Sequence, residues 1–256
     1  MRYYALAADY DGTLASDGQV DLATVEALKR LRASGRRLVL VTGRKLDELL
    51  DAFAQVELFE QVVVENGGLL YCPATREERP LASRPPKRFI DELRRRGVEG
   101  LSVGQVIVAT WRPHEVEVFK AIRDLELELH VIFNKRAVMV LPSGVNKATG
   151  LWAALDAMQL SPHNVVGVGD AENDQAFLRL CECSAAVANA LPALITVNNT
   201  LSFGPNAHLA AVSGKRRTRP GPRDEAMRDA RICYDHLAGA AGVRMLDRFF
   251  DRGLVG

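Results

Sequence analysis

Asp9 and Asp11 stand one residue apart in Ala8-Asp9-Tyr10-Asp11-Gly12-Thr13-Leu14, directly after the apolar stretch 3–8. Two carboxylates so spaced, followed by Gly-Thr, suit a divalent metal and a nucleophile. Asp and Gly also favour ordinary turns, so the pair alone leaves both readings open. Other positions narrow the choice. Thr42 closes the apolar run 37–41 and leads into Gly43-Arg44. Asp170 and Asp174 follow the apolar run 164–168, and Lys147 stands at the start of the helical stretch just before it. These types together suit phosphoryl transfer through an aspartate. A carboxylate can attack phosphorus. A second acid can protonate the leaving oxygen and then deprotonate water. Lys147, the Thr42 hydroxyl and Mg²⁺ would neutralise the phosphate oxygens. Mg²⁺ takes hard oxygen ligands, a role that fits Asp9 and Asp170.

The elements that must position these residues alternate strand and helix. Residues 3–8, 37–41 and 61–64 read as buried strands. The stretches 21–34 and 46–53 read as the helices between them, the first stopped by Gly35. This order implies a parallel sheet with right-handed crossovers. The pattern then changes. Residues 69–72 and 79–82 suit a hairpin, and Arg84-Pro85-Pro86-Lys87 suits a junction. A helix (89–96), a strand (105–110), a helix (113–125) and two strands (129–133, 137–141) joined by the Asn134-Lys135 turn follow. The block 84–141 reads as a small α+β domain inserted into the first. After Pro142 the parallel pattern resumes: helix 148–158, strand 164–168, helix 175–181 and strand 185–187. In such a sheet the strand ends carrying Asp9, Thr42 and Asp170 share one edge. Turn chemistry does not account for all of them arriving there.

Composition bounds the rest. The chain has 256 residues, 48% of them hydrophobic, enough to bury a core. Lys plus Arg is 33 against 32 for Asp plus Glu, a formal net charge of +1, so no polyanionic partner is implied. Cys72, Cys181, Cys183 and Cys233 form no CxxC pair and read as reduced thiols of a cytoplasmic protein. The five histidines are scattered, which disfavours a zinc hydrolase. Asp9 and Asp11 interrupt the first apolar run, so it does not read as a signal peptide. No stretch approaches a membrane span. Gly167-Val168-Gly169 lacks the third glycine of a dinucleotide loop. Residues 202–235 hold the basic run 215–223 between prolines and glycines and read as a mobile insertion. No aromatic residue is interleaved there to stack bases, so a nucleic-acid partner is not expected. Residues 242–254 suit a closing helix.

With these motifs in view, the chain resembles the haloacid dehalogenase superfamily of phosphatases, in its Cof-type (IIB) branch with a short C2 cap. Asp9-Tyr10-Asp11-Gly12-Thr13, Val41-Thr42-Gly43-Arg44, Gly144-Val145-Asn146-Lys147-Ala148 and Gly169-Asp170-Ala171-Glu172-Asn173-Asp174 are similar to its four motifs, in order. Glu65-Asn66-Gly67-Gly68 is similar to a further run of that branch. The resemblance covers roughly residues 3–200. It implies a three-layer, Rossmann-like α/β core formed by 1–83 and 142–256, with the cap over 84–141. It implies Asp9 as nucleophile and metal ligand, and Asp11 as acid/base with its backbone carbonyl on the metal. Thr42 and Lys147 would hold the phosphoryl group. Asp170 would bind Mg²⁺, with Asp174 as a further ligand or a support to it. Asn173 would hydrogen-bond near the phosphate, and Gly12 and Gly43 would let the backbone approach it. Trp111 and Arg112, where a cap strand meets a helix, and Arg44 are candidates for contact with the substrate. Pairing with Asp47 or Glu48 is the alternative for Arg44. The implied activity is hydrolysis of a small phosphorylated metabolite, a sugar phosphate or phosphoglycolate-like compound. A phosphotransferase or mutase on the same fold, or a regulatory nucleic-acid-binding module using 215–223, are the alternatives. Oligomeric state is open.

Overall fold

The structure is a computed structural model that describes residues 3–191, 194 and 200–202. Its centre is an eight-stranded sheet. The strands are β1 (Ala5–Ala8), β2 (Arg37–Val41), β3 (Gln61–Val64), β4 (Leu69–Cys72), β5 (Glu77–Pro80), β10 (Val165–Gly169), β11 (Cys183–Ala186) and β12 (Thr200–Ser202). They lie in the order β12-β11-β10-β1-β2-β3-β4-β5. All pairs from β12 to β3 are parallel, and β4 and β5 close one edge as an antiparallel hairpin. The inner strands are continuous apolar runs because both faces are covered.

Helices α1 (Leu22–Ala33) and α2 (Leu46–Ala52) carry the chain from β1 outward to β3. Helices α5 (Lys147–Ala157) and α6 (Gln175–Leu180) serve β10 and β11 and pack together. The chain leaves β1 in one direction and β10 in the other. Right-handed crossovers therefore put the helices between these strands on opposite faces, which gives three layers. Local chemistry starts the helices. The Asp21 side chain accepts from the Thr24 amide at 2.6 Å to cap α1. The Asn146 side chain accepts from Ala148 and Thr149 to cap α5.

Between β5 and α5 lies a second unit, the block expected as a cap and called the cap below. It is an antiparallel sheet of β6 (Ser102–Val103), β7 (Val108–Trp111), β9 (Ala137–Pro142) and β8 (Leu129–Asn134), in that order, with α3 (Lys87–Arg95) and α4 (Glu115–Asp124). Val108, Val138 and Val140 pack with Phe89 and Leu93 of α3 and Val118 of α4. Ile107, Met139 and Leu141 form a separate cluster on the other face of the sheet.

Most expected elements appear within two residues of their predicted bounds. The strand expected over 105–110 is a correction. It starts only at Val108, because the amides of Gln105, Val106 and Ile107 all donate to the Glu65 carboxylate instead of a neighbouring strand. The hairpin's second arm is Glu77–Pro80, earlier than the expected 79–82. The two-residue β6 was not expected; it is too short to show a period. The basic run 215–223, the helix expected over 242–254 and, beyond its first residue, the insertion expected over 202–235 lie outside the described residues. Among the described residues Cys72, Cys181 and Cys183 form no disulfide, and no helix is long and apolar enough to cross a membrane.

Candidate active site

Strands β1 and β10 are neighbours, and the chain runs away from them in opposite directions. Their carboxyl ends therefore form the switch point at which open α/β sheets bind ligands. Asp9 follows β1 and Asp170 follows β10. The Asp9 backbone continues the ladder, its amide donating to the Val168 carbonyl at 3.0 Å. Lys147, the first residue of α5, is 1% exposed. Its Nζ donates to Asp9 Oδ1 and to Asp174 Oδ1, each at 2.6 Å. Asp174 Oδ2 accepts the backbone amides of Asp170 (2.8 Å) and Ala171 (3.0 Å). Asp174 thus ties the end of β10 to Lys147.

The electrostatics follow from burial and an excess of carboxylates. Burial raises the Asp9 carboxyl well above the usual carboxylate range, and the Asp174 charge adds to this; Lys147 only partly offsets them. Asp170 is raised as well, by burial and then by Asp174, with Lys135 opposing. Burial pulls the Lys147 ammonium down, but Asp174 and Asp9 outweigh it and hold it above its ordinary value. Buried oxygens of Asp9, Asp170 and Asp174 all lie within 4.8 Å of one another.

The Asp11 carboxylate sits at the rim, 40% exposed, gripped by Arg44 through Nε at 2.7 Å and Nη2 at 2.6 Å. The Arg44 guanidinium also lies over the Tyr10 ring, 4.8 Å from its centroid. Asp47 and Glu48 pair with Lys45 instead. Gly12 has φ +85°, and a Cβ there would stand 2.4 Å from Asp170 Oδ2. Only glycine lets the loop after β1 pass so close. Thr42 is buried, and its hydroxyl oxygen accepts the Arg44 amide at 3.2 Å. It caps its turn at the end of β2. Asn173 Nδ2 donates to Asn66 Oδ1 at 3.0 Å, next to Gly43. The other atoms of the two amides, Asn173 Oδ1 and Asn66 Nδ2, are buried without a hydrogen-bond partner among the described residues.

The cap reaches this edge from above. Met139 Sδ lies beside Gly43, and β8 packs against the Glu172–Asp174 turn. Lys135, at the tip of the β8–β9 hairpin with φ +54°, places Nζ 3.2 Å from Asp170 Oδ2. Trp111 is 58% exposed and leans on Gly100. Its strand partner is Ala137, which lies on the Met139 face. Arg112 is not brought to the site. Its guanidinium stacks on Phe133, 5.0 Å from the centroid, on the face covered by α3 and α4.

The family model described as haloacid dehalogenase-like hydrolase matches residues 6–105 and 98–206, which together cover most of the chain. The chain belongs to this family. It is 31% identical to the phosphoglycolate phosphatase of Haloarcula marismortui over 197 residues, 72% of this chain and 84% of that protein. It is 29% identical to the phosphoglycolate phosphatase of Methanothermobacter thermautotrophicus over 198 residues, 74% of this chain and 87% of that one. A solved Thermoplasma acidophilum structure shares the fold with TM-score 0.67 and 17% identity, covering 79% of this chain and 92% of that chain. A subclass IIB sugar phosphatase shares it with TM-score 0.66 and 16% identity, covering 80% and 95%. This haloacid dehalogenase-like chain is accordingly a phosphatase.

Two residues of this phosphatase were not singled out from the sequence. Lys135 occupies an ordinary hairpin turn, and nothing in its neighbours marks it. Glu65 was noted only as part of a run. Its buried carboxylate, on a backbone with φ +52°, accepts the amides of Gln105 (2.7 Å), Val106 (2.6 Å) and Ile107 (2.9 Å) and pins the loop between β6 and β7 to the core. Its partners are backbone groups, which leave no residue signature.

Proposed function

We propose that the chain is a divalent-cation-dependent phosphomonoester hydrolase that works through an aspartyl phosphate on Asp9, acting on a small phosphorylated metabolite. The observation that carries this reading is the buried Asp9–Lys147–Asp174 chain beside Asp170, at the switch point of the sheet.

The donor set fits Mg²⁺. It is all hard oxygen, it holds more carboxylates than cations, and burial opposes its ionisation until a cation arrives. Asp9 and Asp170 would be side-chain ligands, with the Asp11 backbone carbonyl as a further one. Asp174 spends both oxygens on Lys147 and two amides, and supports the site from behind. When bound, the ion would neutralise charge on the phosphoryl oxygens and on Asp9.

The other roles fall to this chain's own residues. Asp9 attacks phosphorus. Lys147 keeps the Asp9 carboxylate aimed and offers its charge to the transferring group. Thr42 and the backbone around Gly43 line the phosphoryl position. Asp11 gives a proton to the leaving oxygen and later takes one from the attacking water. The fork of Arg44 fixes where the Asp11 carboxylate stands. The relatives named phosphoglycolate phosphatase support small phosphorylated acids as the first substrates to try.

Hydrolysis of 4-nitrophenyl phosphate with Mg²⁺ tests the reading. Asp9→Asn is expected to lower kcat by roughly 10³-fold or more, and EDTA to stop turnover. A wild-type rate in Asp9→Asn removes the nucleophile assignment; turnover that ignores EDTA removes the metal.

A further inference from the structure

Lys135 is a cap side chain resting on a core carboxylate. Its Nζ lies 3.2 Å from Asp170 Oδ2, on a carboxylate that the proposed cation site would use. Two cations a few ångströms apart on one carboxylate repel each other. A divalent ion at Asp9 and Asp170 would therefore compete with Lys135 for that carboxylate. The ion pair given up is a weak one, because the Lys135 side chain is 55% exposed. The ammonium cannot go far. Its root is the tip of a hairpin whose strand β8 packs on the Glu172–Asp174 turn.

Once displaced, the ammonium would stay on the cap side of the site. The transferring phosphoryl group already has Lys147 and Thr42 on the core side. What meets the cap is the rest of the substrate. The surroundings there are polar and partly unmatched. Asn134 Oδ1, beside Lys135 in the chain, is buried without a partner among the described residues, as are Asn66 Nδ2 and Asn173 Oδ1 of the core.

We propose that Lys135 is a specificity-determining residue of the cap, which leaves Asp170 when a divalent cation binds and takes an anionic oxygen on the substrate's leaving group. The substrate class so selected is a small phosphorylated hydroxy acid. The proposal rests on the phosphatase reading above and extends it to the leaving group.

The test has two arms. In the first, kcat/KM is measured for 2-phosphoglycolate and for 4-nitrophenyl phosphate, whose leaving group has no carboxylate. Lys135→Gln is expected to lose about tenfold more on the carboxylated ester than on the aryl one, mostly in KM, and Lys135→Arg to recover most of it. An equal loss on both esters overturns the assignment, because Lys135 then serves the phosphoryl group. In the second, Mn²⁺ binding is measured by calorimetry without any phosphate ester. Lys135→Gln is expected to bind Mn²⁺ several-fold more tightly than wild type, and unchanged affinity overturns the exchange at Asp170. If wild type hydrolyses neither ester, the phosphatase reading falls, while the Mn²⁺ comparison still decides whether lysine and cation exclude each other.

Discussion

Lys147 sits between two buried carboxylates, and none of the three groups can be removed without leaving an unmatched remainder. Asp174→Ala takes away one partner of Lys147 and also the acceptor of the Asp170 and Ala171 amides. The expected loss is about 3–5 kcal/mol in urea denaturation, the scale of a broken buried ion pair. Activity should fall with it, because the end of β10 carries Asp170. A loss under about 1 kcal/mol would mean that the pair is solvated rather than buried. Asp9, Asp11, Thr42, Lys147 and Asp170 were all legible in the sequence, because each is an acidic, hydroxyl or basic residue at the end of an apolar run or the start of a helix. Arg44 was legible as a candidate, but its partner was not. Whether it met Asp11 or its near neighbours Asp47 and Glu48 depends on how the turn after β2 faces the loop after β1, and no local pattern carries that.

At the scale of elements, the joint between cap and core depends on Glu65. Three successive amides donate to its carboxylate, so the β6–β7 loop over 105–107 is held by one side chain. Glu65→Ala leaves these donors unmet, at a cost of roughly 1–3 kcal/mol of cap docking. Hydrogen exchange should then quicken at Gln105, Val106 and Ile107 while Val166 and Val168 in the sheet stay protected. Equal quickening at both places would mean that the whole fold had loosened, not the joint. The same contact explains the strand predicted too early over 105–110. Its residues are apolar enough for a strand, but their amides are already taken. A period read from sequence reports which faces are apolar, and it does not report which acceptor a backbone donor finds.

At the scale of the molecule, the site is a concentration of negative charge in a chain with a net formal charge of only +1. That concentration makes stability depend on the cation. Asp9 is raised in the folded state, so folding favours its protonated form. Its contribution to stability is greatest at low pH and is lost as pH rises from the ordinary carboxylate range through the raised value. In EDTA, Asp9→Asn should therefore gain melting temperature relative to wild type as pH rises. At pH 7, added Mg²⁺ should reverse the order by stabilising wild type, by about 2.7 kcal/mol at a hundredfold excess over Kd. An order that ignores both pH and Mg²⁺ would show that Asp9 is not where the charge strain lies. The sheet order has a consequence of another kind, for the chain while it is being made. β1 takes β2 on one side almost at once, but its other neighbour is β10 at residues 165–169, after the whole cap. During synthesis the first half of the molecule thus carries an apolar strand with one row of amides and carbonyls unmet. Such an edge invites pairing with other chains. The long insertion that brings Lys135 to the site also lengthens the interval in which the nascent core is open to aggregation.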